Sequence, residues 1–178
     1  MSRRIASSES RIVSQAERDI RSRLDSHSLN FTAMSAVSNV YRTASTVRNY
    51  MERTLLSEYE LSWVAFTILW VLWIWGAQET GHVAAEAGVT KGTLTGVMKT
   101  LHARKLIRRL PHRDDRRRVS ITLSRAGERL IEELFPRFNE QEARCVGDLS
   151  TAEQQELARL LRLVNRRVGE LDGPSATH

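Results

Sequence analysis

Apolar residues recur along most of this chain with a helical period, and only one short segment alternates as a strand does. Phe31, Met34, Val37, Val40, Tyr41, Ala44, Val47, Met51 and Leu55 fall at steps of three or four, so a long helix with one apolar stripe is expected, and Asn30 is placed to cap it. The stripe is longer than a small domain needs, so part of it is expected to pack against another subunit. Before it, Ile12, Val13, Ala16, Ile20 and Leu24 outline a weaker amphipathic pattern in a segment rich in Ser, Arg and Glu. An ordered helical arm and a flexible tail both fit that composition. After a short connection, SEYE, the run Leu61 to Ala77 is almost wholly apolar and carries Trp63, Phe66, Trp70, Trp73 and Trp75. It falls short of the roughly 20 residues of a membrane span and has no basic flank close by, so a helix buried on all sides is expected.

The pattern then shortens. Val83, Ala84 and Ala87 mark a small helix, Gly88 stands where the chain must turn, and Thr90 is placed to cap a second helix with Leu94, Val97, Met98 and Leu101 on its inner face. The other face of that helix shows Lys91, Thr93, Thr95, Gly96 and Lys99, small and basic groups suited to a major groove. Beyond Leu106 and Ile107, Val119, Ile121 and Leu123 alternate with Ser120 and Thr122. That alternation predicts a two-stranded hairpin with one covered face, whose tip, from Pro111 to Arg118, is too polar to be core. Two short helices followed by a basic hairpin form a winged helix-turn-helix.

Ser124 is placed to cap a further helix through Leu130, Ile131, Leu134, Phe135 and Phe138, which Pro136 is expected to kink or divide. Ser150 and Glu153 form a capping box for a last helix, which is expected to bury Leu157, Leu160, Leu161, Val164, Val168 and Leu171 and to end near Gly173-Pro174. These amphipathic helices need more apolar surface than one small winged domain offers, which implies a symmetric homodimer with recognition helices addressing two half-sites of a palindrome. The expected organisation is an arm over 1–25, a dimerisation helix over 26–57, the winged helix-turn-helix over 58–124, C-terminal dimerisation helices over 125–173 and a tail over 174–178. The fold class expected is mainly α with a small β wing.

Charge sharpens this reading. Lys99 to Arg125 holds ten Lys or Arg against two Asp, a local net charge of +8, whereas the rest of the chain has 17 basic and 19 acidic residues. The positive field is therefore focused on the recognition helix and wing, as duplex DNA requires. The chain has 178 residues, 41% of them hydrophobic, enough for one substantial core. Its single cysteine, Cys145, excludes an intramolecular disulfide, and the first residues lack the apolar run of a signal peptide, so a cytoplasmic location is expected. No nucleophile and base pair, phosphate-cradling loop or metal triad is visible, so neither an enzyme nor a cofactor is expected. The five histidines show no paired metal-ligand spacing.

In AAEAGVTKGTLTGVMKTLHARKLIRR and DRRRVSITLSRAG the chain resembles the MarR family of dimeric bacterial transcriptional regulators, over roughly Phe31 to Leu171. The resemblance implies that Arg117 of the Asp-x-Arg wing reaches a minor groove, that Asp115 helps hold the wing, and that Gly127 opens the next helix. Arg is suited to a narrow, negative groove, and a carboxylate beside it is tolerable near phosphate when it orients a guanidinium. Arg113, Arg116 and Arg118 are phosphate candidates. Thr90, Lys91, Thr93, Thr95 and Lys99 lie where the family presents residues to bases and phosphates.

Many relatives bind small phenolic or aromatic carboxylate ligands between their dimerisation and DNA-binding parts, and the matching walls here are Tyr41, Arg42, Trp63, Phe66 and Trp70. The resemblance stops short of the redox-sensing branch: the first long helix has no cysteine, and Cys145 reads as a structural or incidental thiol. The expected function is a homodimeric repressor that occludes a promoter and is relieved by such a ligand. A regulator without a ligand and a winged-helix protein-interaction scaffold are the alternatives.

Overall fold

The computed structural model describes residues 14–25, 27–111 and 119–172. The chain divides into two compact units, Met1–Tyr50 and Met51–His178.

In the first unit, α1 (Gln15–Leu24) begins at Ser14, whose side chain and backbone exchange hydrogen bonds with Glu17 as a complete capping box. The amphipathic segment anticipated before residue 25 is thus a helix, although Ile12 and Val13 lie outside the described residues. It is tied to α2 (Phe31–Thr54) by the other Glu17 oxygen, which accepts from Ser35 Oγ at 2.9 Å and Asn39 Nδ2 at 3.0 Å. Asn30 caps α2 as expected, its Oδ1 accepting from Ala33 N at 2.9 Å. Along the α2 stripe Val37 is 50% exposed and Tyr41 72% exposed, so the apolar face is open to an external partner.

The second unit is built around α3 (Trp63–Trp75), which follows a 3-10 turn at Leu56–Tyr59. Ser62 caps α3 through Ala65 N, and the Glu52 carboxylate accepts from Trp63 N at 2.6 Å, placing negative charge at the helix start. Ala65, Phe66, Ile68, Leu69, Val71 and Leu72 are buried. The helix is not enclosed on every side, since Ile74 and Trp75 near its C-terminal end are exposed. Among the described residues, no helix is long and apolar enough to cross a membrane.

The helix-turn-helix follows: α4 (Thr80–Glu86), a turn with Gly88 at φ +62°, and α5 (Lys91–Ala103). The left-handed backbone at Gly88 is the conformation glycine adopts without steric cost. The hairpin pairs β2 (Ile107–Pro111) with β3 (Val119–Leu123), in register from Ile107 opposite Leu123 to Pro111 opposite Val119. Ile107, Ile121 and Leu123 are buried, and Ser120 and Thr122 between them are half-buried, as the alternation predicts. A third strand, β1 (Gln78–Glu79), pairs with the other edge of β3 and gives the order β1-β3-β2. Two residues cannot show a period, which is why the sequence pattern did not reveal it.

Two expectations about the C-terminal helices need correction. Of the kink or division expected at Pro136, the division does not occur: α6 (Arg125–Cys145) is continuous, because proline removes one donor from a 21-residue ladder whose other bonds and buried face, with Ile131, Leu134 and Phe138, remain. The last helix, α7 (Thr151–Asp172), buries none of its residues within the chain. Leu157, Leu160, Leu161, Val164, Val168 and Leu171 are all exposed, so the apolar stripe is real but is left uncovered among the described residues. Its start is as expected, with Ser150 and Glu153 in reciprocal hydrogen bonds.

Candidate nucleic-acid interface

The recognition helix is set by its two faces. Leu94, Met98 and Leu101 of α5 are buried against the second unit, which turns Lys91, Gly92, Thr93, Thr95, Gly96 and Lys99 to solvent. Thr90 spends its hydroxyl oxygen on the cap, accepting from Thr93 N at 3.2 Å and lying 3.1 Å from Thr93 Oγ1. Thr95 donates to the Lys91 carbonyl at 2.8 Å, which leaves its lone pairs and methyl group facing outward. No acidic side chain lies in the first turn, so the amide end of the helix dipole adds to Lys91.

Gly96 was read from sequence as part of this face, and Gly92 joins it. An added Cβ at Gly96 meets nothing within 4 Å, and at Gly92 only Thr90 Oγ1 at 3.8 Å. Neither position has positive φ, so the fold does not require glycine there, although each glycine weakens a helix by about 0.5–1 kcal/mol relative to alanine. A flat surface one turn long, flanked by Lys91 and Lys99, is what close approach to a groove needs.

Opposite that surface the helix is anchored. Its C-cap, Arg104, donates through Nη1 to the Glu60 carbonyl at 2.7 Å and through Nη2 to the Tyr59 carbonyl at 2.9 Å. Ser124 joins α5, the sheet and α6: its hydroxyl donates to the Lys105 carbonyl at 2.6 Å and accepts from Ala126 N and Gly127 N, each at 3.1 Å. Gly127 then packs so closely that an added Cβ would collide with the Leu106 carbonyl oxygen. Sequence reasoning missed Arg104, whose partners lie 44 and 45 residues away and leave no local pattern.

The wing candidates Arg113, Arg116, Arg117 and Arg118, with Asp115, lie outside the described residues. The strands that carry the tip are described up to Pro111 and from Val119, and Arg108 and Arg109 on β2 are exposed. The ligand candidates fall in two groups. In the first unit Tyr41 and Arg42 are exposed, and Arg42 lines a groove of about 340 Å³ with Arg21, Phe31 and Ser35. In the second, the Trp63 ring lies 6.3 Å from Phe66, and both pack on Phe138, with Phe66 stacked at 4.1 Å. Trp70 instead meets Trp75 edge-on at 5.6 Å, and its buried indole Nε1 has no hydrogen-bond partner among the described residues. Cys145 is exposed at the end of α6, and no group of metal-ligating side chains occurs among the described residues.

Comparison with known proteins places this geometry. The MarR family model matches residues 61–119, the stretch from the start of the Trp-rich helix to the second wing strand. The uncharacterized HTH-type transcriptional regulator YwaE of Bacillus subtilis (strain 168) is 41% identical over 137 residues, 77% of this chain and 80% of its own length.

The chain belongs to the MarR family.

It is a DNA-binding transcriptional regulator of the winged helix-turn-helix type. Among solved structures, BpsR of Bordetella bronchiseptica, whose DNA binding is regulated by 6-hydroxynicotinic acid, superposes with a TM-score of 0.68 at 27% identity, covering 74% of this chain and 98% of BpsR. A mutant MarR from E. coli complexed with operator DNA shares the fold, with a TM-score of 0.65 at 18% identity over 77% of this chain and 99% of that one.

Proposed function

We propose that this MarR-family chain acts as a homodimer that occupies a palindromic operator, represses by excluding polymerase, and is released by a small aromatic or phenolic carboxylate. The observation that carries the DNA reading is the two-faced recognition helix: a buried apolar side fixed by Leu94, Met98 and Leu101, and an open side of Lys91, Thr93, Thr95 and Lys99 with two glycines. On this reading those side chains, with Thr90 at the helix start, meet bases and phosphates of the major groove. Arg117 enters the flanking minor groove, Asp115 orients it, and Arg113, Arg116 and Arg118 meet phosphates.

The open stripes on α2 and α7 support a second copy. Leu160 is 45% exposed and Val168 49%, on a helix with no buried residue of its own, and a twofold interface lets such faces cover each other. One feature supports an aromatic carboxylate: within the first unit, Arg42 and Arg21 border a groove beside Phe31. Release requires that the ligand bind the free arrangement of the helices more tightly than the DNA-bound one.

The test is a mobility-shift titration on duplex from upstream of the chain's own gene, at two salt concentrations, with and without 6-hydroxynicotinic acid. Binding is expected to weaken steeply with salt, Arg117→Ala to lower affinity without changing the oligomeric state, and the ligand to release DNA. Salt-insensitive or absent binding would refute the DNA reading, unchanged affinity in Arg117→Ala would refute its assigned role, and no release by this compound would refute it as inducer.

A further inference from the structure

The 3-10 turn between α2 and α3 gathers polar contacts from two directions. Arg104, at the C-cap of the recognition helix, grips the carbonyls of Tyr59 and Glu60. From the other side α6 grips the same turn. Arg137 Nη2 meets Glu58 Oε2 at 2.7 Å, Arg137 Nη1 donates to the Tyr59 hydroxyl at 2.8 Å, and that hydroxyl donates to Glu133 Oε1 at 3.1 Å. The Arg137 guanidinium also lies 5.5 Å from the Tyr59 ring centre. The backbone is strained at both ends of the Arg104 grip. Glu60 has φ +52° and Lys105 φ +59°, and these are the described non-glycine residues in the left-handed region. Lys105 N and Leu106 N close the end of α5 onto His102 and Leu101 carbonyls, so the strained residue sets where the helix stops.

We propose that Arg104, Tyr59 and Arg137 form a relay that sets the pose of the recognition helix from the position of α6, with Arg104 a positioning residue that does not itself touch DNA. The inference rests on the DNA-binding reading above and adds to it a route of control. Polar bonds at 2.7 to 2.9 Å join three elements whose sequence separations reach 79 residues, and they converge on the four-residue turn and its C-cap Glu60, with the Arg137–Glu58 pair half-exposed. A shift of α6 relative to that turn therefore moves the peptide groups that hold the end of α5, while Lys91 and Thr93 at its start face the groove. The apolar packing of Leu94, Met98 and Leu101 holds the helix in the unit, and the relay selects among the small tilts that such packing permits.

The test uses the full chain and duplex from upstream of its gene, with affinity read by anisotropy over a series of salt concentrations. Arg104→Met and Arg137→Met are each expected to weaken binding roughly tenfold, as loss of hydrogen bonds to a charged group does. The double variant is expected to be no weaker than the worse single one, and Arg104→Lys to recover part of the loss. The slope of log affinity against log salt stays at the wild-type value. A slope reduced by about one for Arg104→Met would make Arg104 a phosphate contact and overturn the proposal. Unchanged affinity for Arg137→Met, or additive effects, would overturn it equally. Amide hydrogen exchange gives a readout without DNA. In Arg137→Met the amides from Thr100 to Leu106 are expected to exchange faster although Arg137 touches none of them, and unchanged exchange there would overturn the relay. Failure of the wild-type chain to bind any duplex would instead remove the DNA-binding reading and leave the exchange experiment to decide the relay.

Discussion

Gly127 shows how a single position can be dictated by packing. It sits in the first turn of α6, where its Cα faces the Leu106 backbone and the Leu123 side chain, and a methyl group there would collide with the Leu106 carbonyl. That carbonyl already accepts from Ser124 N at 2.9 Å, so it cannot retreat without loosening the junction of α5, β3 and α6. Gly127→Ala is therefore expected to destabilise the chain by about 1–3 kcal/mol, the usual cost of overpacking, read from the urea midpoint at constant m. An unchanged midpoint would mean that Leu106 yields freely. Gly96 is the opposite case: an added Cβ meets nothing within 4 Å, so no packing among the described residues requires glycine there. The two residues look alike in sequence, and only the neighbours separate them.

Among the elements, those with local signals were legible and those held by distant partners were not. Asn30, Thr90, Ser124 and Ser150 all stand at helix starts and accept the amides that such starts leave free, because a cap is a relation between residues two or three apart. The alternation Ile121, Leu123 revealed a strand for the same reason. Strand β1 is too short for a period. Pro136 signalled a kink or a break, and tertiary burial of its helix overrides the break; the Arg104 and Arg137 grips join residues tens of positions apart. The exposed side of α5 was readable because exposure follows from helical periodicity, whereas the ligand candidates depend on how aromatic rings pair, which periodicity does not specify.

Helix α1 carries a prediction of its own. Four hydrogen bonds, first those from Ser14 and Ser35, hold the Glu17 carboxyl at about 2. Its folded value is depressed, so its contribution to docking α1 on α2 is fully present above the ordinary value of 4.5 and is lost as pH falls toward about 2. Protection factors of the α1 amides, taken against the intrinsic rate at each pH, are expected to fall over that window in the wild-type chain and to lose this pH dependence in Glu17→Gln. Protection that stays constant down to pH 2 would contradict the role given to Glu17.

At the scale of the whole molecule, the open faces of α2 and α7 and the two-faced recognition helix belong to one account. A single copy leaves Val37, Leu160, Leu161 and Val168 exposed; in the dimer proposed above, two copies would cover such stripes and present two α5 helices to two half-sites. In that dimer the +8 charge of Lys99 to Arg125 would act twice on the same duplex, which predicts binding that is sensitive to salt. The most direct test of this account is the mass of the complex formed on a duplex from upstream of the gene, measured in solution at low and high salt. Two chains on each duplex at low salt, dissociating together as salt rises, is the predicted result. One chain on each duplex, or a complex indifferent to salt, would contradict the account.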